Sequence, residues 1–269
     1  AALFNPSMVE HPDQTNVPPG GKRFIMSLRA TGEGHVSSIV FRTGMIKADG
    51  SVTMDPPSRL LSRATIAPDR QYPRELFAKK LTEMGTPNMD VVYRLLHDLP
   101  EKFTLDQLTQ RADAMRHDFN DQADAQSTIQ TMLWLARSNF HIAMPAHEDL
   151  SSLAIFPNSS EEARGIEDLR LVRFIDDDAT AIYFGTYTAY DGTQTLPMLI
   201  ETYDFHRIDI HSLNGQAAIN KGMALFPRRI GGHYVMCSRI DGENLYIAYS
   251  DYVHFWESAE KLRTPKNPW

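Results

Sequence analysis

Cysteine is almost missing from this chain: Cys237 stands alone among 269 residues. No disulfide can close within it, and a reducing, cytoplasmic setting is the expectation. Long apolar runs are missing too. No stretch approaches the ~18 consecutive apolar residues of a membrane span, whereas a hydrophobic content of 42% suffices for a buried core. The reading is a soluble, globular protein with no membrane partner. Basic charge is in deficit, with a net charge of -7, which argues against nucleic acid as a partner because phosphate-backbone binding needs a basic face. The motifs of metal and nucleotide chemistry are absent as well: no paired Cys/His spacing for zinc, no Gly-rich loop opening a helix, no Gly-x-Ser-x-Gly elbow. Neither a metal nor an organic cofactor is expected, and His233 and His254 read as ordinary surface or core-edge residues. A signal peptide is not visible. The chain starts Ala1-Ala2-Leu3 without an initiator methionine and reads as a partial one.

What is present is mostly β pattern. Phe24–Leu28 and Val36–Arg42 read as a hairpin across a polar loop containing Gly32 and Gly34. Leu171–Ile175 reads as a strand that turns at Asp176-Asp177-Asp178 and returns as Ala181–Thr188. An echo follows. Tyr183–Gly192 with Leu199–Asp204 is mirrored by Tyr234–Gly242 with Tyr246–Asp251, each unit a strand, an acidic-Gly turn and a second strand ending near an Asp. Short strands repeating about every 50 residues are the signature of propeller blades, and about four such units can be counted.

Between Pro73 and Arg137 the apolar period changes from two to 3.6. Leu76, Phe77, Leu81 and Met84 lie between Pro73 and Gly85; Val92, Leu95, Leu96 and Leu99 precede Pro100. Thr104 and Gln107 have capping-box spacing ahead of Leu105, Leu108, Ala112, Met115 and Phe119, and Ile129, Met132, Leu133 and Ala136 mark a fourth helix. The expectation is an all-β chain, residues 1–269 forming one propeller domain, interrupted at 73–137 by a helical insertion that packs its stripes on a sheet edge or a second subunit of a homo-oligomer.

The chemistry-bearing residues cluster at the ends of these strands, where a rigid sheet can hold a side chain open to substrate. Glu167 and Asp168 stand at what reads as the entrance of the 171–175 strand. They can serve chemistry, or they can cap a turn and pair with Arg164 or Arg170. Arg29, Glu33 and His35 fall within seven positions around one loop, a grouping that suits either paired sugar hydroxyls or a salt-bridged turn. Lys221, Arg228, Arg229 and Arg239 would hold an anion if they faced a cleft.

The segments Gly165-Ile166-Glu167-Asp168-Leu169-Arg170, Tyr187-Thr188-Ala189-Tyr190-Asp191-Gly192, Asn5-Pro6-Ser7, Ser27–His35, Asn220–Arg229 and Tyr249–Trp256, in that company, resemble glycoside hydrolase family 130, the β-mannoside phosphorylases and related mannosidases. The resemblance covers most of the chain outside the helical block. It implies a five-bladed propeller that cleaves β-mannosidic bonds in oligosaccharides, with inorganic phosphate as a co-substrate or with water. It also implies that Asp168 is the general acid, its proton reaching the leaving oxygen through a sugar hydroxyl. Substrate contacts would fall to Arg29, Glu33, His35, Tyr190 and Asp191, and phosphate or sugar contacts to Lys221, Arg228 and Arg239, all converging on one cleft. Phosphorolysis needs one carboxylate and a cationic seat, whereas inverting hydrolysis needs a second carboxylate to activate water. After Gly192 stand Thr193-Gln194-Thr195, where the family's phosphorylases tend to carry a basic residue, so both reactions stay open. A non-catalytic sugar-binding propeller is the alternative from another class.

Overall fold

The computed structural model describes the chain outside residues 1, 33–35, 59–61, 64, 67–70, 84–85, 87, 120–121, 145–148, 158–161, 163, 191, 193–194 and 267–269. It divides into two compact units, one of Ala1–Ile66 with Ile142–Trp269 and one of Ala67–His141.

The first unit opens with β1 (Ala2–Glu10), β2 (Lys22–Thr31), β3 (Ser37–Ile46), β4 (Val52–Met54), β5 (Ser62–Arg63) and β6 (Thr65–Ile66). Within the second unit come β7 (Tyr72–Pro73), α1 (Arg74–Glu83), α2 (Met89–His97), β8 (Lys102–Phe103), α3 (Leu105–Met115) and α4 (Ala123–Ser138). The chain continues with β9 (Phe140–Ala143), β10 (Leu153–Ile155), β11 (Gly165–Ile175), β12 (Ala181–Tyr190), β13 (Thr195–Thr202) and β14 (Arg207–Ser212). It ends with β15 (Ala224–Leu225), β16 (Tyr234–Ser238), β17 (Leu245–Ser250) and β18 (Ala259–Arg263).

Most strands of the first unit join one mixed sheet whose main path runs β1-β2-β3-β11-β12-β13-β14-β9-β6. The hairpin expected around residues 24–42 forms as β2 and β3, antiparallel in unbroken register from Lys22↔Ile46 to Thr31↔Ser37. β3 meets β11 through a single parallel pair, Ser37↔Gly165. β11 to β14 make an antiparallel four-stranded meander, and β15 to β18 make a second, separate one. The echoed segments of the sequence are β12–β13 and β16–β17, the central pair of each meander. Their inner faces share a core in which Phe174, Phe184 and Leu199 meet Tyr234, Met236, Ala248 and the fully buried Trp256.

The second unit contains the four α-helices found among the described residues. Their apolar stripes close on one another: Phe77, Leu81, Val92, Leu95, Leu96, Leu108, Ala112, Met132 and Leu133 form one buried cluster. Two helix N-termini are capped, the first of them as the sequence suggests. Thr104 and Gln107 exchange hydrogen bonds, each backbone N–H donating to the other's side-chain oxygen at 2.9 and 3.3 Å, and Asn88 Oδ1 accepts from the Val91 N–H. Two details differ. Pro73 pairs with Lys102 in β7, so α1 starts one residue later, and Leu76 is exposed because it lies about 100° round the helix from Phe77. No helix among the described residues is long and apolar enough to cross a membrane.

Candidate functional site

Asp168 does not stand at a strand entrance. β11 already begins at Gly165, and its register with β12 slips between Glu167↔Thr188 and Arg170↔Thr186, so that Asp168 and Leu169 together oppose Tyr187. This is a β-bulge, the device by which a strand re-aims one side chain. Asp168 takes φ +57° there, a left-handed conformation that Asp and Asn tolerate better than most side chains. β1 carries a matching irregularity between Phe4↔Arg29 and Ser7↔Ser27, with Asn5 at φ +51°. The two bulges meet. Asn5 Nδ2 donates to Asp168 Oδ1 at 2.6 Å, the Leu171 N–H donates to Ser7 Oγ at 2.9 Å, and the Ser27 hydroxyl donates to the Leu169 carbonyl at 3.3 Å.

The charge partner of this stretch comes from β2 rather than from Arg164 or Arg170. Arg29 NH2 donates to Glu167 Oε1 at 2.7 Å, while its NH1 lies 3.5 Å from Asp168 Oδ1. Its guanidinium also covers the Phe4 ring, 5.2 Å from the centroid. One planar fork thereby fixes both carboxylates, a task to which a lysine ammonium is poorly shaped.

Three cations reach the other side of Asp168. The Thr186 hydroxyl donates to the Met223 carbonyl at 2.7 Å, holding the 220–223 segment against β12, and left-handed residues at Asn220 and Gly222 turn the chain there. Asp168, Arg170, Thr186, Thr188, Lys221 and Arg239 line a cavity of ≈ 100 Å³. A second cavity, ≈ 430 Å³, is lined by Asn5, Ser7, Asp168, Arg170 and their neighbours. Asp168 and Arg170 line both. Among the described lining residues of both cavities, Asp168 is the one carboxylate.

Of the residues singled out in the sequence, the structure brings together Asp168, Arg29, Lys221 and Arg239. Tyr190 ends β12 opposite Gly165, its hydroxyl on the Gly192 carbonyl at 2.8 Å, and it lines neither cavity. Arg228 is not brought in: it bridges to Ile175 at the far end of β11, seven residues and about 23 Å of strand from Asp168. Arg229 is taken up by Asp176, at 2.7 Å, and by the Tyr234 ring, 4.0 Å from its centroid. Glu33, His35 and Asp191 lie outside the described residues. Asn5, Thr186 and Thr188 stand in the quoted segments without a site role, and Arg170 was read only as an ion-pair partner; the every-second-residue pattern of Thr186 and Thr188 on β12 was the available signal. Next to them Tyr187 is buried and donates to the buried Glu162 carboxylate at 2.9 Å. Burial, then the Glu162 charge, pushes its phenol well above the usual 10.

Against solved structures, this chain is similar to a glycosyl hydrolase from Bacteroides ovatus at 12% identity and a TM-score of 0.43, covering 99% of this chain and 53% of that one. Glycoside hydrolase family 130 is among these similarities. One such structure is from the GH130 mannoside phosphorylase family, described as containing glycoside hydrolases that target β-1,2-mannosidic linkages in Candida mannan; identity is 11%, the TM-score 0.39, and coverage 98% of this chain and 52% of that one. A third, a β-1,2-mannobiose phosphorylase from Listeria innocua with β-1,2-mannobiose bound, matches at 16% identity and a TM-score of 0.33 over 96% of this chain and 66% of its own. The chain spans about half the length of the first two. No protein-family model matches the sequence, and neither does a curated protein.

Proposed function

We propose that this chain carries the catalytic groups of an inverting phosphorylase that cleaves β-mannosidic bonds in oligosaccharides. One observation carries the reading: among the described lining residues one carboxylate, Asp168, borders both a small cavity lined by Arg170, Lys221 and Arg239 and a larger polar one. The larger is within the range of small-molecule sites.

The chemistry follows from that division. Phosphate held by the three cations attacks the anomeric carbon from the face opposite the leaving oxygen; the new C–O bond to phosphate forms as the glycosidic C–O bond breaks. The Asp168 proton passes through a sugar hydroxyl to the leaving oxygen, giving mannose 1-phosphate of inverted configuration and a shortened oligosaccharide. Phosphate needs no base, whereas water would need a second carboxylate, and the neighbouring Glu167 is engaged by Arg29. Asn5 and Arg29 orient the acid. On this reading the two meanders are blades of a five-bladed propeller, about four of which lie in this chain.

The test is incubation with β-linked manno-oligosaccharides with and without inorganic phosphate. Mannose 1-phosphate formed only with phosphate is expected. Equal release of free mannose in both arms would refute phosphorolysis, and saturable sugar binding without any product would identify a binding module instead.

A further inference from the structure

Three side chains that share no local sequence motif meet at the edge of the first meander. Glu201 on β13 pairs with Asp209 and His211 on β14 pairs with Leu199, so Glu201 and His211 are diagonal neighbours on one face of the hairpin. His254 arrives from the turn after β17. That turn is tied down on both sides: the Asn214 N–H donates to the His254 carbonyl at 3.0 Å, and the Trp256 N–H donates to the Asn214 carbonyl at 2.7 Å. Glu201 Oε2 lies 3.9 Å from His211 Nε2 and 3.8 Å from His254 Nε2, and the two imidazole rings are 4.4 Å apart at 65°. All three ligand atoms fall within 4.8 Å of one another, the one such trio among the described residues.

We propose that Glu201, His211 and His254 bind one divalent transition ion of the Zn²⁺ class, with a fourth position open to water. Two imidazole nitrogens and a carboxylate oxygen suit a borderline ion and do not suit Mg²⁺ or Ca²⁺, which take oxygen ligands. Tetrahedral bonds of about 2.0–2.1 Å set ligand atoms about 3.3 Å apart, so each carboxylate–imidazole separation closes by only about half an ångström on binding. Side-chain exposures of 18% for His211, 24% for Glu201 and 35% for His254 leave the trio partly shielded, and His254 Nε2 is itself buried. The ion would clip the β13–β14 hairpin to the turn that follows β17. His254 is then a ligand and not the ordinary core-edge residue that its sequence context suggests.

The experiment uses the full chain stripped with chelator. Zn²⁺ titrated calorimetrically should bind at one equivalent and raise the melting temperature, Co²⁺ in its place should give the visible absorption of a four-coordinate ion, and uptake should fall as pH drops through the imidazole range. Glu201→Gln and His254→Gln should each weaken Zn²⁺ by at least about 10-fold, the loss seen even for outer-shell changes. His233→Gln, which alters an exposed ring on Asp251, should leave uptake unchanged. No saturable uptake by the native chain, or uptake undiminished in both ligand variants, overturns the proposal. Should those variants fail to fold, X-ray absorption of the Zn²⁺-loaded native chain decides: two imidazoles with oxygen donors support the site, and a shell with sulfur or without imidazole overturns it.

Discussion

Replacing Asp168 with Asn separates a proton donor from a structural carboxylate, because the geometry of the bulge predicts how little else changes. Asn accepts φ +57° as readily as Asp, and its Oδ1 can still receive the Asn5 hydrogen bond. What is lost is the 3.5 Å contact with Arg29, between partners 20% and 34% exposed. Half-exposed pairs of that kind contribute about 0–1 kcal/mol, and Arg29 keeps its 2.7 Å bond to Glu167. The melting temperature should therefore fall by no more than about 2–4 °C. Turnover of an unactivated mannoside should fall by about 10²- to 10⁴-fold, or about 3–5 kcal/mol of barrier, with sugar affinity nearly unchanged. A nitrophenyl mannoside, whose leaving group needs little protonation, should recover part of the loss. Quantifying mannose 1-phosphate alongside thermal melts separates the two effects. A folded Asp168→Asn protein with near-native turnover on the unactivated substrate would refute the acid assignment and the mechanism with it.

Truncating the cationic cavity should act on a different kinetic constant: Lys221→Ala and Arg239→Ala should each raise the KM for phosphate by about 10-fold or more while sugar binding holds. Arg228→Ala, at the far end of β11, is the control in the same steady-state assay. Gly165→Ala should destabilise the fold, since the position has φ +129° and a Cβ would lie 2.8 Å from the Ser37 backbone nitrogen where β11 joins β3; backbone strain alone costs about 1–3 kcal/mol, readable in urea melts. Burial raises the phenols of Tyr183, Tyr187 and Tyr234, and the bond to Asp241 raises that of Tyr246. The folded state thus holds these protons more tightly than the unfolded chain. That stability is fully present below the ordinary value of 10.0 and is lost as pH rises through the folded values, so urea midpoints should drop as pH rises above about 10. An unchanged midpoint would contradict the direction.

Local features of this protein are written in its sequence. The Thr104–Gln107 cap, the β2–β3 hairpin and the echo that falls on β12–β13 and β16–β17 each depend on residues a few positions apart, where spacing alone sets which groups can meet. The chemical candidates Asp168, Arg29, Lys221 and Arg239 were legible as residue types in strand-end contexts. Their geometry was not. That Arg29 rather than Arg164 or Arg170 grips the Glu167–Asp168 pair, that Asn5 meets Asp168 across two facing bulges, and that Arg228 falls at the wrong end of β11 are results of strand order and register between segments far apart in the chain. A bulge leaves no mark in a period-two pattern, since it arises when one strand accommodates an extra residue against a partner that the sequence does not name. For the same reason the Glu201–His211–His254 trio has no linear spacing to announce it: diagonal pairing across one hairpin and a turn pinned by Trp256 bring its ligands together, and only the tertiary structure decides both.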